Sequence, residues 1–269
     1  SPTMSSNTVP EMVLVTPVTT TLAPNSDVSP EPSMAMAETD CPARPAVTPA
    51  SAQLPPPPAV VVPRYSMPSP RSASPAPENW QRRVGDDTVG IGNAVLSRWP
   101  ISASDSVHLP SGDAPDEGRV ALHAMVETPH GSLPVTCTHL NSAWGHSTIR
   151  NEQLRAACRL ITSQPRGDFP PVLCGDFNAL PDFDEVLALA GKRDLLVPDL
   201  VLLDAWSFVE SDDGYTWDRR NPHVDETHEP SARIDYIFVG LPDEPGLGKP
   251  TQGALFGTHP VGGVWPSDH

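Results

Sequence analysis

From about Trp80 onward, apolar and polar positions along the chain recur with definite periods. In "RVALHAMVETPHGSLPVTCTHL" the positions Val120, Leu122, Ala124 and Val126 alternate, "PHG" turns the chain, and Leu133, Val135 and Cys137 alternate again. A period of two interrupted by a turn predicts a β-hairpin, whose second strand delivers His139 at its end. "GIGNAVLSRWPI" reads as a turn followed by a strand through Ala94 to Leu96. The period then changes. In "STIRNEQLRAACRLI", Ile149, Gln153, Ala157, Leu160 and Ile161 mark one face of a helix, Leu154 and Cys158 lie beside it, and Ser147 is the predicted N-cap. "PPVLCGDFN" predicts another strand, and a short helix follows over residues 185–190, between Pro181 and the stop signal Gly191. "GYTWD" (214–218) and "RIDYIFVG" (233–240) predict two more strands separated by a polar loop. Strands outnumber helices and the helices fall between them, so the fold class is α+β, with packed sheets and outer helices.

The first part of the chain has no such periods. Of the 35 prolines in the 269 residues, 18 fall within residues 1–80, which hold no Gly and no His. Proline removes backbone donors and breaks both helix and strand, and few apolar side chains remain to bury. Residues 1–75 are therefore expected to be a Pro/Ser/Ala-rich disordered segment, with 76–269 as the folded domain. Short apolar pieces such as "MVLV" and "AVVV" (59–62) could form strands, although proline flanks each.

The chain carries a net charge of −16. Residues 81–269 hold 14 basic against 27 acidic residues. An acidic body lacks the electrostatic footprint of a protein that grips long nucleic-acid backbones, although a bound cation could neutralise a cluster of acids. The four cysteines show no CxxC spacing. Cys137 and Cys174 fall in strand-like runs and Cys158 in a helical one, as buried thiols do, which points to a reducing compartment and a cytoplasmic location. No run approaches the ~20 apolar residues of a membrane span, and no signal peptide is seen.

Candidate chemistry concentrates at strand ends. "VLCGDFNALPD" runs from buried-type residues into Asp176 and Asn178, polar groups that are costly to bury without partners. His139, Asp235, Asp268 and His269 occupy comparable places, so a sheet scaffold would bring all six to one edge. Taken singly, each has a plain structural reading. Asp235, for example, could merely pair with Arg233. Gly90-Ile-Gly92 lacks the third glycine of a dinucleotide loop, and "HVDETHEP", with His223, Asp225, Glu226 and His228, reads as a solvated loop rather than a metal site.

In order, "GNAVLSRWPI", "THLNS", "RNEQL", "GDFNALPD", "GYTWDRRNP" with "RIDYIFV", and "SDH" resemble the motifs of the endonuclease/exonuclease/phosphatase superfamily, the deoxyribonuclease I-like fold, over about residues 76–269. The resemblance implies a four-layer α/β/β/α sandwich and hydrolysis of phosphate esters with Mg2+ or Mn2+. It implies that Asp176 orients or deprotonates the attacking water, Asn178 helps hold water and phosphate, and His139 donates to a phosphate oxygen. Asp268 would face the metal, and His269, oriented by Asp235, would stabilise transition-state charge. The substrate class it implies is a phosphate ester, whether nucleic acid, phosphorylated small molecule or lipid headgroup.

The resemblance also implies an N-terminal Asn and a metal-binding Glu in an "LQE"-like motif, neither of which is found in residues 1–75. The expected sandwich is therefore partial, and the chain an incomplete or inactive form of a metal-dependent phosphoesterase. The contrasting reading is a non-catalytic interaction protein whose Pro-rich segment docks onto proline-reading domains.

Overall fold

The structure is a computed structural model that describes residues 59–61 (backbone only), 93, 95–97, 99–209, 212–241 and 248–269. Apart from residues 59–61, the segment expected to be disordered lies outside these residues, as do Ala94, Cys41 and the Gly90–Gly92 turn.

The centre is a six-stranded mixed sheet in the order β3-β4-β5-β6-β8-β7, where β3 is Ile101–His108, β4 Val120–Thr128, β5 Gly131–His139, β6 Val172–Asp176, β7 Leu202–Asp204 and β8 Asp235–Gly240. β5 and β6 run parallel and the other neighbours antiparallel. The parallel pair requires a crossover, which α1 (Ser147–Ser163) provides. β4 and β5 form the expected hairpin, with Thr128 opposite Gly131.

Alternation puts apolar residues on both faces of the sheet. On one, Leu173, Phe177, Tyr236 and Phe238 pack with Leu154, Ala157, Leu160 and Ile161 of α1 and with Val186 and Leu189 of α2 (Asp184–Leu189). On the other, Leu122, Ala124, Val126, Leu133, Val135, Cys137, Val172 and Cys174 form a second cluster that includes Val95. Val95 belongs to β2 (Val95–Ser97), which pairs antiparallel with β1 (Ala59–Val61). A sheet buried on both faces is an inner layer, so the α+β sandwich expected from the pattern is the fold observed. Cys137, Cys158 and Cys174 are buried, and burial raises the pKa of each, to about 12 for Cys158 and Cys174. Among the described residues no helix is long and apolar enough to cross a membrane.

Several expected elements differ. α1 starts after His146, whose side chain makes no capping bond, and the Ser147 hydroxyl bonds to Glu185 instead. Its core-facing stripe begins with Arg150, 1% exposed, rather than Ile149. "GYTWD" is no strand but a single bridge, Trp217 to Ala232. Gly214 turns with φ +59 against the indole of Trp206, which opens α3 (Trp206–Val209), and this breaks extension. "HVDETHEP" is only partly loop, since α4 (Pro222–Asp225) forms behind the Asn221 cap and buries Val224 completely. β3 and β7 have no periodic signature in the sequence. β3 is a largely exposed polar edge strand, and β7 has three residues.

Candidate active site

Three adjacent strands bring their site residues into one row. In register, His139 ending β5 faces Asp176 ending β6, and Asp176 faces Asp235 opening β8. All three are buried. Strand register alone therefore places an imidazole and two carboxylates side by side at one sheet edge. His269 comes from outside the sheet. Its Nδ1 lies 2.7 Å from Asp235 Oδ2 and its Nε2 lies 3.8 Å from Asp176 Oδ2, while His139 Nε2 is 3.2 Å from that same Asp176 oxygen.

Turn chemistry beyond β6 completes the edge. Asn178 takes a left-handed conformation, φ +48, which Asn tolerates better than most residues. Its backbone N–H donates to Asp176 Oδ1 at 2.8 Å and its Nδ2 to the Leu140 carbonyl at 3.1 Å, tying the β5 and β6 ends together. Gly175, at φ +138, has no alternative in this strand, because a Cβ there would lie 1.9 Å from the Thr138 carbonyl oxygen. Thr216 Oγ1 accepts from the backbone N–H groups of Ile234 and Asp235, which fixes the start of β8. The Trp217 ring meets His269 edge-on at 5.1 Å between centroids.

Protonation follows from burial and neighbours. Burial works to lower the His269 pKa, but the charge and hydrogen bond of Asp235, with Asp176 and Asp268, outweigh it and raise it to about 10. His269 is thus an imidazolium at neutral pH. Burial, together with the Asp235 charge, raises Asp176 to about 7, with His269, the Asn178 N–H and Arg119 pulling the other way. Burial, then Arg119 and His269, hold His139 well below its ordinary value, so it is a neutral ring. A carboxyl poised near neutrality beside a fixed cation can accept a proton from water and confront an anion with positive charge.

All six residues singled out by sequence, His139, Asp176, Asn178, Asp235, Asp268 and His269, therefore lie at or directly beside this edge. The residues of "HVDETHEP" are not part of it. Asp225 pairs with Arg219, and the group with metal-ligand spacing among the described residues is Asp176, Asp235 and His269, whose ligand atoms lie within 4.8 Å of one another.

The support behind His139 comes from residues whose role no sequence motif marks. Gln153 Oε1 accepts from the Asn141 N–H at 2.8 Å. Arg150 Nη1 donates to the carbonyls of Asn141 and Ala143, at 3.3 and 2.9 Å. Arg150 is itself held by the fully buried Glu185, Nε to Oε1 at 2.5 Å. Arg150 and Gln153 are three apart, so they share a helix face with Leu154 and Ala157. Two long polar residues on a core stripe were the available signal.

The endonuclease/exonuclease/phosphatase family model matches residues 34–269. The chain belongs to this family. The match opens within the segment that composition alone assigns outside the domain. No curated protein matches the chain. Among solved structures, it is similar to a humanized D. rerio TDP2 carrying 14 mutations, with 23% identity over 65% of this chain and 68% of that one, TM-score 0.49. It is also similar to D. rerio TDP2 complexed with single strand DNA product, with 23% identity, the same coverages and TM-score 0.48. The human Nocturnin catalytic domain with bound sulfate shares 20% identity over 59% of each chain, TM-score 0.40.

A divalent cation, implied for members of this endonuclease/exonuclease/phosphatase family, fits the residues present. Asp268 Oδ2 is a buried carboxylate oxygen without a hydrogen-bond partner, and hard cations take oxygen ligands. His269 fits a ligand role poorly, since its Nδ1 is bonded to Asp235 and an imidazolium has no free lone pair.

Proposed function

We propose that the chain is a metal-dependent phosphoesterase, with this edge as its reaction centre. The observation that carries the reading is the His269–Asp235 pair set beside the buried Asp176. Asp176 takes a proton from the attacking water, and Asn178 fixes the orientation of that carboxylate through its backbone N–H. His139 and His269 flank the same oxygen of Asp176, so a phosphate approaching it meets a neutral donor on one side and an imidazolium on the other. Asp268, with Asp176, would hold a Mg2+ or Mn2+ ion, which when bound supplies charge against the phosphoryl oxygens and lowers the pKa of water. Asp235 keeps His269 charged and oriented.

The substrate is a phosphate ester recognised chiefly at its phosphate. Arg119, Arg150, Arg193, Arg219, Arg220 and Arg233 each pair with a carboxylate of this chain. This supports a small or end-bound ester over a long duplex gripped along its backbone.

Two measurements test the reading: hydrolysis of bis-p-nitrophenyl phosphate with Mg2+ or Mn2+, and thermal stabilisation by the same ions. Chelator-sensitive hydrolysis that disappears in Asp176→Asn supports the enzyme. Stabilisation without turnover would identify the inactive form and favour the interaction-protein reading. The absence of both hydrolysis and stabilisation would refute the proposal.

A further inference from the structure

Asn221 lies on the segment that leads from the Trp217 bridge into α4, and it is 1% exposed. Its side-chain Oδ1 accepts from the His223 N–H at 3.1 Å and so caps α4. Its Nδ2 donates to two backbone carbonyls far along the chain, Ser267 at 2.9 Å and His269 at 3.1 Å. Those carbonyls bracket Asp268. Within the stretch itself, the Ser267 hydroxyl accepts from the His269 N–H at 3.1 Å and reaches Asp268 Oδ1 at 3.3 Å, which fixes its internal shape. The Asn221 amide adds the tie to a neighbouring element. One planar amide thus supplies two donors to the stretch and one acceptor to α4, a combination that a carboxylate or a hydroxyl cannot reproduce.

We infer that Asn221 is a positioning residue, which through the carbonyls of Ser267 and His269 sets where Asp268 and His269 stand against Asp235 and Asp176. It touches no reacting group itself. The inference rests on the phosphoesterase reading of the site and adds to it the device that seats the stretch. The need for such a device follows from topology. His139, Asp176 and Asp235 are held by sheet register, whereas residues 265–269 form no strand of the sheet. Side-chain placement at a site must hold within about 0.5 Å, and an untethered segment does not provide that.

Two variants separate the tether from the helix cap. Asn221→Ser and Asn221→Thr both keep a capping acceptor for His223, and the single hydroxyl of each cannot donate to both carbonyls. Each is expected to lower kcat on bis-p-nitrophenyl phosphate about 10- to 100-fold, with KM held within about threefold, as for other residues that orient ligands from behind. The second readout needs no turnover. In the metal-free protein, the downfield NMR signal of the His269 ring proton shared with Asp235 should weaken or vanish in both variants while the thermal midpoint stays within a few degrees of the parent. Retention of that signal in both variants overturns the inference, and so does a collapse of the midpoint in both, which would make Asn221 a purely structural residue. If the parent chain hydrolyses nothing, the phosphoesterase reading fails by itself, and the ring-proton signal still decides the role of Asn221.

Discussion

Removing Arg150 alone should cost this domain a large share of its stability. Arg150 and Glu185 are 1% and 0% exposed in their side chains, and they meet at 2.5 Å. Arg150→Met would leave a carboxylate in the interior with the Ser147 hydroxyl as its remaining donor, and would strip a donor from the carbonyls of Asn141 and Ala143. Breaking a buried pair from one side costs about 3–5 kcal/mol, and a domain of this kind has roughly 5–15 kcal/mol in total. The pair itself is worth far less than that loss suggests. Arg150 Nη2 is buried with no hydrogen-bond partner, so the guanidinium is incompletely compensated. Replacing both members, Arg150→Met with Glu185→Leu, should therefore recover at least about 2 kcal/mol of the loss, because the stranded charge is gone. Urea unfolding followed by tryptophan fluorescence measures both quantities. An Arg150→Met cost below about 1 kcal/mol, or a double variant as unstable as the sum of its parts, would refute this account of the pair. An outcome as expected would also show that the backbone on which His139 ends is held by an ion pair in the helix layer.

Gly175→Ala should destabilise by about 3 kcal/mol or more, from the clash with the Thr138 carbonyl and the φ of +138 together, and denaturant titration should show it. Asp235→Asn should lower the hydrolytic rate through the lost charge and orientation of His269 while calorimetry finds magnesium affinity nearly unchanged; an affinity loss as large as that of Asp268→Asn would make Asp235 a direct ligand instead. In the metal-free protein, stability should fall between about pH 6.5 and 10. The His269 proton stabilises the fold fully below its unfolded pKa of ~6.5 and is lost as pH rises through about 10, with a slope of at most ~1.4 kcal/mol per pH unit for one proton. Thermal midpoints in chelator that stay flat or rise across that window would contradict the assignment.

The hairpin, α1, β6 and β8 were legible because each buries a periodic apolar face, and periodicity is what a sequence displays. β3 was not, since "ISASDSVH" is an edge strand whose residues mostly face water. "GYTWD" misled because its apolar and aromatic content is strand-like, whereas Asp212 Oδ1 accepting from the Gly214 N–H, with Trp206 packed on that glycine, turns the chain. The candidates His139, Asp176 and Asp235 stood out because acids and histidines at the ends of apolar runs are conspicuous, whereas Asp268 and His269, which belong to no strand, were singled out by the family resemblance of "SDH". The residues that hold them were not. Arg150 stood on a stripe read as beginning with Ile149, and the partners of Asn221 are 46 and 48 positions away, beyond any local pattern.

The row of His139, Asp176 and Asp235 has a consequence for the order in which the chain assembles. β5 and β6 meet through a helix of local contacts, but β6 and β8 join residues about sixty positions apart, and loop closure of that span precedes any gain from pairing. When that pairing forms, it sets two carboxylates directly opposite each other, an unfavourable arrangement for antiparallel neighbours. The His269 cation, 2.7 Å from one and 3.8 Å from the other, offsets it. Closure of the β6–β8 ladder and docking of the stretch that carries His269 are therefore coupled events. Until His269 docks, the centre of the sheet carries an electrostatic penalty that protonation of Asp176 or a bound cation can relieve, so mildly acidic buffer or divalent metal should speed the last phase of refolding.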